Sequence, residues 1–405
     1  MRKSSRPIAP LVGVLLLLTT AAAEARSRDL VKLVRASGET PEAWLLDIGI
    51  QVFDAGLSGE DKDSLEKKGI SPDVRKSEAR FIPFHLKNTL ESTGHWGAVR
   101  VVPTRTEDVD LTVTGTILES TGMDLVLKVK VEDSRGTIWQ DNKYTGTANP
   151  DAYGNDPVVR EDPFQSLYNS IANDMLDGRE DLSEKEIHTI QEITRIRFAA
   201  DLAPAVFARH LGKDRKGRYR IVRLPSPDDP MMRRIGAIRQ RDDMFVDTLN
   251  EYYSEFYTRM AEPYRQWRQS SYEEQKALQE IRRKARRRKW LGGLLDLGGI
   301  AAGGGGQAAE TAREAAVIGG VLTVQSGIEK GKESQIHAAA LKELAASFGA
   351  EIGPTQVEVE GQTLRLQGSA EAQFSEWRRI MAALFANETG TENDQTVPPD
   401  VPASH

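Results

Sequence analysis

Between Ala98 and Tyr144 the chain places four extended segments almost end to end, and this run constrains the fold more than any other feature. Ala98-Val-Arg-Val-Val102 is the first. Val109 to Ile117 alternates apolar and polar residues. Leu125, Leu127, Val129 and Val131 fall on one face of the next segment, with Lys128 and Lys130 on the other. Ser134-Arg-Gly136 supplies a turn, and Thr137 to Tyr144 closes the meander. Strict alternation over short segments separated by turn residues predicts half-buried strands with one wet face.

Flanking segments complete a small domain over residues 29–178. Trp44 to Phe53 reads as a buried strand. Ser71-Pro72-Asp73 starts a helix: the serine can cap, proline suits the first helical position, and aspartate complements the dipole. Ala79, Ile82, Phe84, Leu86 and Leu90 form its apolar stripe. Pro83 predicts a kink or break within it. Pro163 to Leu176 gives a second helix, with Phe164, Leu167, Ile171 and Met175 inward. The order β-α-β-β-β-β-α predicts an antiparallel sheet with helices on one face, hence an α+β fold.

Downstream, residues 179–290 read as a helical region. Ser183, with Glu184 and Glu186 in the first turn, opens a helix striped by Ile187, Ile190, Ile193 and Ile196. Gly217 to Leu224 suggests a short hairpin. Met231 to Trp290 is one long helical pattern with an expected break at Pro263. Its aromatics, among them Phe245, Tyr253, Phe256, Tyr264 and Trp267, step at helical spacing. They predict a core or coiled-coil-like seam; a groove for glycan or peptide and an interface with another protein are the alternatives.

Two segments carry candidate contact residues. Arg282, Arg283, Lys284, Arg286, Arg287, Arg288 and Lys289 put seven positive charges immediately before Trp290. Cations, then tryptophan, then apolar residues is the order expected at a membrane interface or anionic surface. A glycine-rich segment, 291–335, follows. There Ala315, Gly319, Thr323, Gly327 and Gly331 recur every four residues, a spacing that lets helix backbones pack closely; membrane association and a flexible linker are the alternatives. Residues 336–386 predict a helix, a hairpin about Gly361 and a second helix containing Phe374 and Trp377. Residues 387–405 are polar and predict a disordered tail.

Residues 1–25 have the order of a secretory signal: Arg2, Lys3 and Arg6, then Leu15 to Leu18, then Ala23-Glu24-Ala25. An exported protein working in the periplasm or at the periplasmic face of a membrane is therefore expected. The chain has no cysteine, which removes disulfides, thiol nucleophiles and a lipid-bearing thioether. Its net charge of −6 disfavours general polyanion binding and nucleic acid as a partner.

Val-Phe53, Ala79-Arg80, Ala98 to Val102, Val109-Asp110, Thr114-Gly115, Gly136-Thr-Ile-Trp139 and Tyr144 together resemble the small α/β domain of bacterial envelope proteins. That domain occurs in the curli-secretion lipoprotein family, the lipoprotein activators of penicillin-binding proteins and the amino-terminal domain of TolB. The resemblance implies a module that docks protein partners or builds rings. The carboxy-terminal helix-hairpin-helix order resembles a BON domain, without its usual final strand.

No catalytic pattern appears. His85, His95, His188, His210, His337 and His405 lack metal-site spacing, and no nucleophile elbow or P-loop occurs. No cofactor is expected. The sequence thus predicts a non-enzymatic envelope protein acting in binding or assembly, through an envelope partner, self-assembly or peripheral membrane contact. A secretion or transport accessory, or a protein acting on peptidoglycan or another envelope polymer, are the alternatives.

Overall fold

The computed structural model describes residues 30–59, 65, 71–154, 161–298, 339, 342–343, 346, 355–359 and 362–389. The fold class is α+β. Its centre is a five-stranded sheet of β1 (Ile48–Gln51), β2 (Val99–Val102), β3 (Leu111–Ser120), β4 (Asp124–Asp133) and β5 (Ile138–Thr147), in the order β2-β1-β3-β4-β5.

The sheet is mixed, which corrects the expected antiparallel arrangement. β1 pairs parallel with both β2 and β3, while β3, β4 and β5 form the antiparallel meander. Parallel pairing requires a crossover, and helix α1 (Pro72–Glu91) supplies it between β1 and β2. Leu125, Leu127, Val129 and Val131 are all buried, whereas Lys128 faces solvent. Helices α1 and α2 (Gln165–Glu180) cover the buried face.

Ser71 caps α1 by accepting from the Val74 amide, with Pro72 in the first turn. The helix continues through Pro83, so the expected break does not occur. The reason lies in where the released hydrogen bond goes. Proline at 83 cannot donate to the Ala79 carbonyl four residues back. That carbonyl instead accepts the Phe53 amide at 2.9 Å, fastening the chain leaving β1 to the helix.

Helix α3 (Glu184–Leu202) begins with a reciprocal capping box between Ser183 and Glu186. A one-turn helix, α4 (Pro204–Phe207), and a small hairpin of β6 (Leu211–Lys213) and β7 (Tyr219–Ile221) follow. Helix α5 then runs from Pro230 to Gly298, 69 residues or about 100 Å. It too passes through a proline, Pro263. Here the carbonyl deprived of its donor belongs to Arg259, on an exposed stretch where water can satisfy it. The hairpin of β8 (Thr355–Val359) and β9 (Gln362–Leu366) leads into α6 (Ala370–Thr389).

Two main apolar clusters hold these elements. One lies between the sheet, α1, α2 and the start of α3. The other joins Phe84 and Val101 to Phe198, to Phe245 and Leu249 on α5, and to Trp377, Met381 and Phe385 on α6. Residues distant in sequence therefore complete the second cluster.

Candidate functional site

Helix α5 dominates the surface chemistry, because it is held by the body along most of its length and continues into the basic run. Its attachment starts at the edge of the sheet. Arg100 of β2 forms ion pairs with Asp243 at 3.1 Å and Asp247 at 2.6 Å. One turn on, the Asn250 amide imitates a neighbouring strand. Its Oδ1 accepts from the Val101 amide at 2.8 Å, and its Nδ2 donates to the Val101 carbonyl at 3.0 Å. A bare β-edge is thereby closed by one side chain.

Further along, α5 crosses α1 through an aromatic seam. Phe81 stacks on Tyr257 with centroids 4.5 Å apart and meets Tyr264 edge-on at 4.8 Å. Polar groups inside the seam are closely matched. The Tyr257 hydroxyl donates to His85 Nδ1 at 2.7 Å, and His85 Nε2 contacts Gln165 Oε1 at 2.9 Å. Gln165 Nε2 is engaged with Asn169 and Thr89, so its oxygen faces His85.

Deeper in the seam, Glu78 Oε1 accepts from the Tyr264 hydroxyl at 2.7 Å and from the Ser120 hydroxyl. Burial pushes Glu78 above the ordinary carboxyl range, against the opposing pull of Arg75. Arg268 grips Asp162 through two nitrogens, at 2.8 and 3.2 Å, and lies 4.2 Å from the Tyr264 ring centroid. Burial raises Asp162, but Arg268, His85 and the Phe164 amide outweigh it and hold the carboxyl below its usual range. A buried, doubly hydrogen-bonded pair of this kind makes the geometry specific.

Close approach finishes the attachment. A Cβ on Gly122 would lie 2.0 Å from the Arg268 carbonyl oxygen and 2.3 Å from the Tyr272 nitrogen. Only glycine lets the β3–β4 turn touch the helix backbone. The last described contact of α5 with the body is Gln279 to Met123.

A second polar cluster lies beneath the first turns of α5. Asp242 accepts from Trp377 Nε1 at 2.9 Å and from Arg378 at 2.8 Å. Burial drives Asp242 strongly upward, and the neighbouring Asp108 carboxyl adds to this against the pull of Arg378. Asp110 accepts from the Asp47 amide and the Thr194 hydroxyl; burial raises it to about 6. Two adjoining clefts of about 460 and 330 Å³ open beside this cluster and share Glu107 and Asp201. In the larger one, the Tyr219 ring has the Arg197 guanidinium 4.7 Å and the Lys213 ammonium 4.8 Å from its centroid. Arg378 bridges Asp242 and Asp201, so the charges frame α6 against the body.

The aromatic run seen in the sequence is thus a packed seam: Tyr253, Phe256, Tyr264 and Trp267 are buried. Of the basic run, the helical backbone is described throughout and Arg283 is exposed. The side chains of Arg282, Lys284, Arg286, Arg287, Arg288, Lys289 and Trp290 lie outside the described residues, as do Ala315, Gly319, Thr323, Gly327 and Gly331 entirely. Among the described residues no group of three or more acidic or histidine side chains is placed to hold a metal, and no helix is long and apolar enough to cross a membrane. Sequence reasoning missed Asn250, the Arg268–Asp162 pair and the Asp242 cluster. Helical spacing marks which residues face inward, but it does not pair a polar residue with a partner a hundred positions away. No protein-family model, curated protein or solved structure matches the chain.

Proposed function

We propose that this chain is a non-enzymatic, exported cell-envelope protein whose α/β body holds a long helix and offers its basic continuation to an anionic surface at the periplasmic face of a membrane. The observation that carries this reading is the continuity of α5. One helix runs from the Arg100 and Asn250 contacts, through the Tyr264 and Arg268 seam, into residues 282–289. Seven cations occupy eight consecutive helical positions, so a surface that brings negative charge would relieve their self-repulsion. Trp290 directly after them suits the headgroup level. The likeness of residues 44–144 to envelope docking domains supports the same setting.

The test is flotation of the full chain with vesicles of phosphatidylcholine alone or with added phosphatidylglycerol. We expect binding only to the anionic vesicles, release by high salt, and loss when all seven cations of residues 282–289 become glutamine. Equal binding to neutral vesicles, or none to either, would overturn the proposal. In cells, the membrane-bound fraction should come off in a salt wash.

A further inference from the structure

The two edges of the central sheet are treated differently. At β2, Asn250 occupies the Val101 backbone groups and α5 covers the strand. At β5, no described residue hydrogen-bonds to the outward backbone groups; the strand's ladder runs to β4 alone. β5 is also ten residues long and carries no proline. Such an edge is a template for another strand unless something on it discourages pairing.

The side chains of β5 select the partner. Asp141, Lys143 and Thr145 point to the wet face and are exposed. In register with β4, Lys143 stands opposite Lys128, a like-charge pair, while Asp141 stands opposite Lys130 and forms an ion pair with Lys128 at 3.4 Å. Lys143 has no ion pair among the described residues. A carboxylate arriving from beyond the edge would relieve it.

We propose that this carboxylate is Asp141 of a second copy: two chains pair antiparallel along β5 about a two-fold axis at Asn142, joining their five-stranded sheets into one. In that register Asp141 of each copy faces Lys143 of the other, twice by symmetry. Moving the axis to Asp141 opposes two aspartates, and moving it to Lys143 opposes two lysines. Charge therefore specifies one register among its neighbours. On the other face, Gln140 meets the buried, hydrogen-bonded Tyr144 of the second copy, and Asn142 meets its own equivalent. The pairing is independent of the basic helix, and its test contains no vesicles, so the two proposals fail separately.

Sedimentation equilibrium of the full chain should give twice the protomer mass. Asp141→Lys and Lys143→Asp should each weaken the dimer about tenfold to hundredfold, since each turns two attractive contacts into repulsive ones. The double variant Asp141→Lys with Lys143→Asp should restore it, because the swapped charges again face each other across the axis. Both positions are exposed, and the circular dichroism of all three variants should be unchanged. A monomeric wild-type chain would overturn the proposal. So would single reversals that leave the dimer intact, or a double variant no tighter than the singles.

Discussion

Replacing Asn250 with leucine isolates the closure of the β2 edge. Leucine keeps the branching of asparagine, with bulkier methyl groups, but can neither accept from the Val101 amide nor donate to its carbonyl. Both bonds are short, at 2.8 and 3.0 Å, Val101 is fully buried, and Asn250 is only 9 % exposed. Each stranded backbone group costs about 1–3 kcal/mol. Two such groups cost about 4 kcal/mol, and the apolar gain of leucine returns about 1 kcal/mol. We therefore expect a net loss of about 3 kcal/mol, read as a lower urea midpoint with an unchanged slope. The same figure implies about hundredfold faster amide exchange at Val101 wherever its exchange follows unfolding. Asn250→Asp sharpens the argument. It keeps the acceptor but sets a carboxylate against the Val101 and Val246 carbonyls, so it should be worse than leucine at neutral pH and recover on acidification. A leucine variant within about 0.5 kcal/mol of wild type, the error typical of independent surface changes, would refute the claim that Asn250 seals the edge.

Other perturbations test the remaining contacts. Arg268→Met should cost about 3–5 kcal/mol by leaving Asp162 buried without its cation, and Asp162→Asn in the same chain should recover part of the loss; equal urea midpoints for single and double variants would contradict this. Pro83→Ala should bring none of the roughly 3 kcal/mol gained by removing an ordinary mid-helix proline, because the Ala79 carbonyl is already used by Phe53; a large rise in thermal midpoint would count against that account. Gly122→Ala should cost about 1–3 kcal/mol, since its Cβ meets backbone rather than a side chain that can swing away. Between about pH 4 and 6, Asp110, raised by burial to about 6 from 3.8, holds a proton in the folded chain that the unfolded chain has released. Its penalty of about 3 kcal/mol is complete above pH 6 and is relieved as pH falls toward 4. Stability should therefore rise on mild acidification, and Asp110→Asn should flatten the rise.

Local structure was legible wherever one short stretch contains both the signal and its consequence. Ser71 and Pro72 start α1, Gly136 turns β4 into β5, and the alternation from Leu125 to Val131 buries one face. What escaped depends on partners far away. The parallel pairing of β1 with β2 and β3 leaves no mark on a four-residue apolar strand. Pro83 and Pro263 look like breaks until one asks who takes the Ala79 carbonyl and whether Arg259 is wet. The aromatic spacing on α5 announced a seam, yet not that Phe81 of α1 is its counterpart. Buried polar residues were least readable: Asn250, Arg268 and Asp242 look like ordinary surface residues of a charged helix.

The apolar cluster that unites Phe84 and Val101 with Trp377 and Phe385 has a consequence for how the chain is made. During synthesis the sheet emerges early, but α5, whose Asn250 covers Val101, comes much later, and α6 later still. A nascent chain leaves part of that apolar cluster open until α6 has been made, and closing it from Phe84 to Phe385 spans about three hundred residues. Such long-range closure is slow and leaves intermediates open to aggregation. Trimming α6 should therefore cost yield and solubility, together with the Trp377 and Arg378 bonds to Asp242 on α5. A holding chaperone that meets the chain early would find its binding surface where α6 later docks.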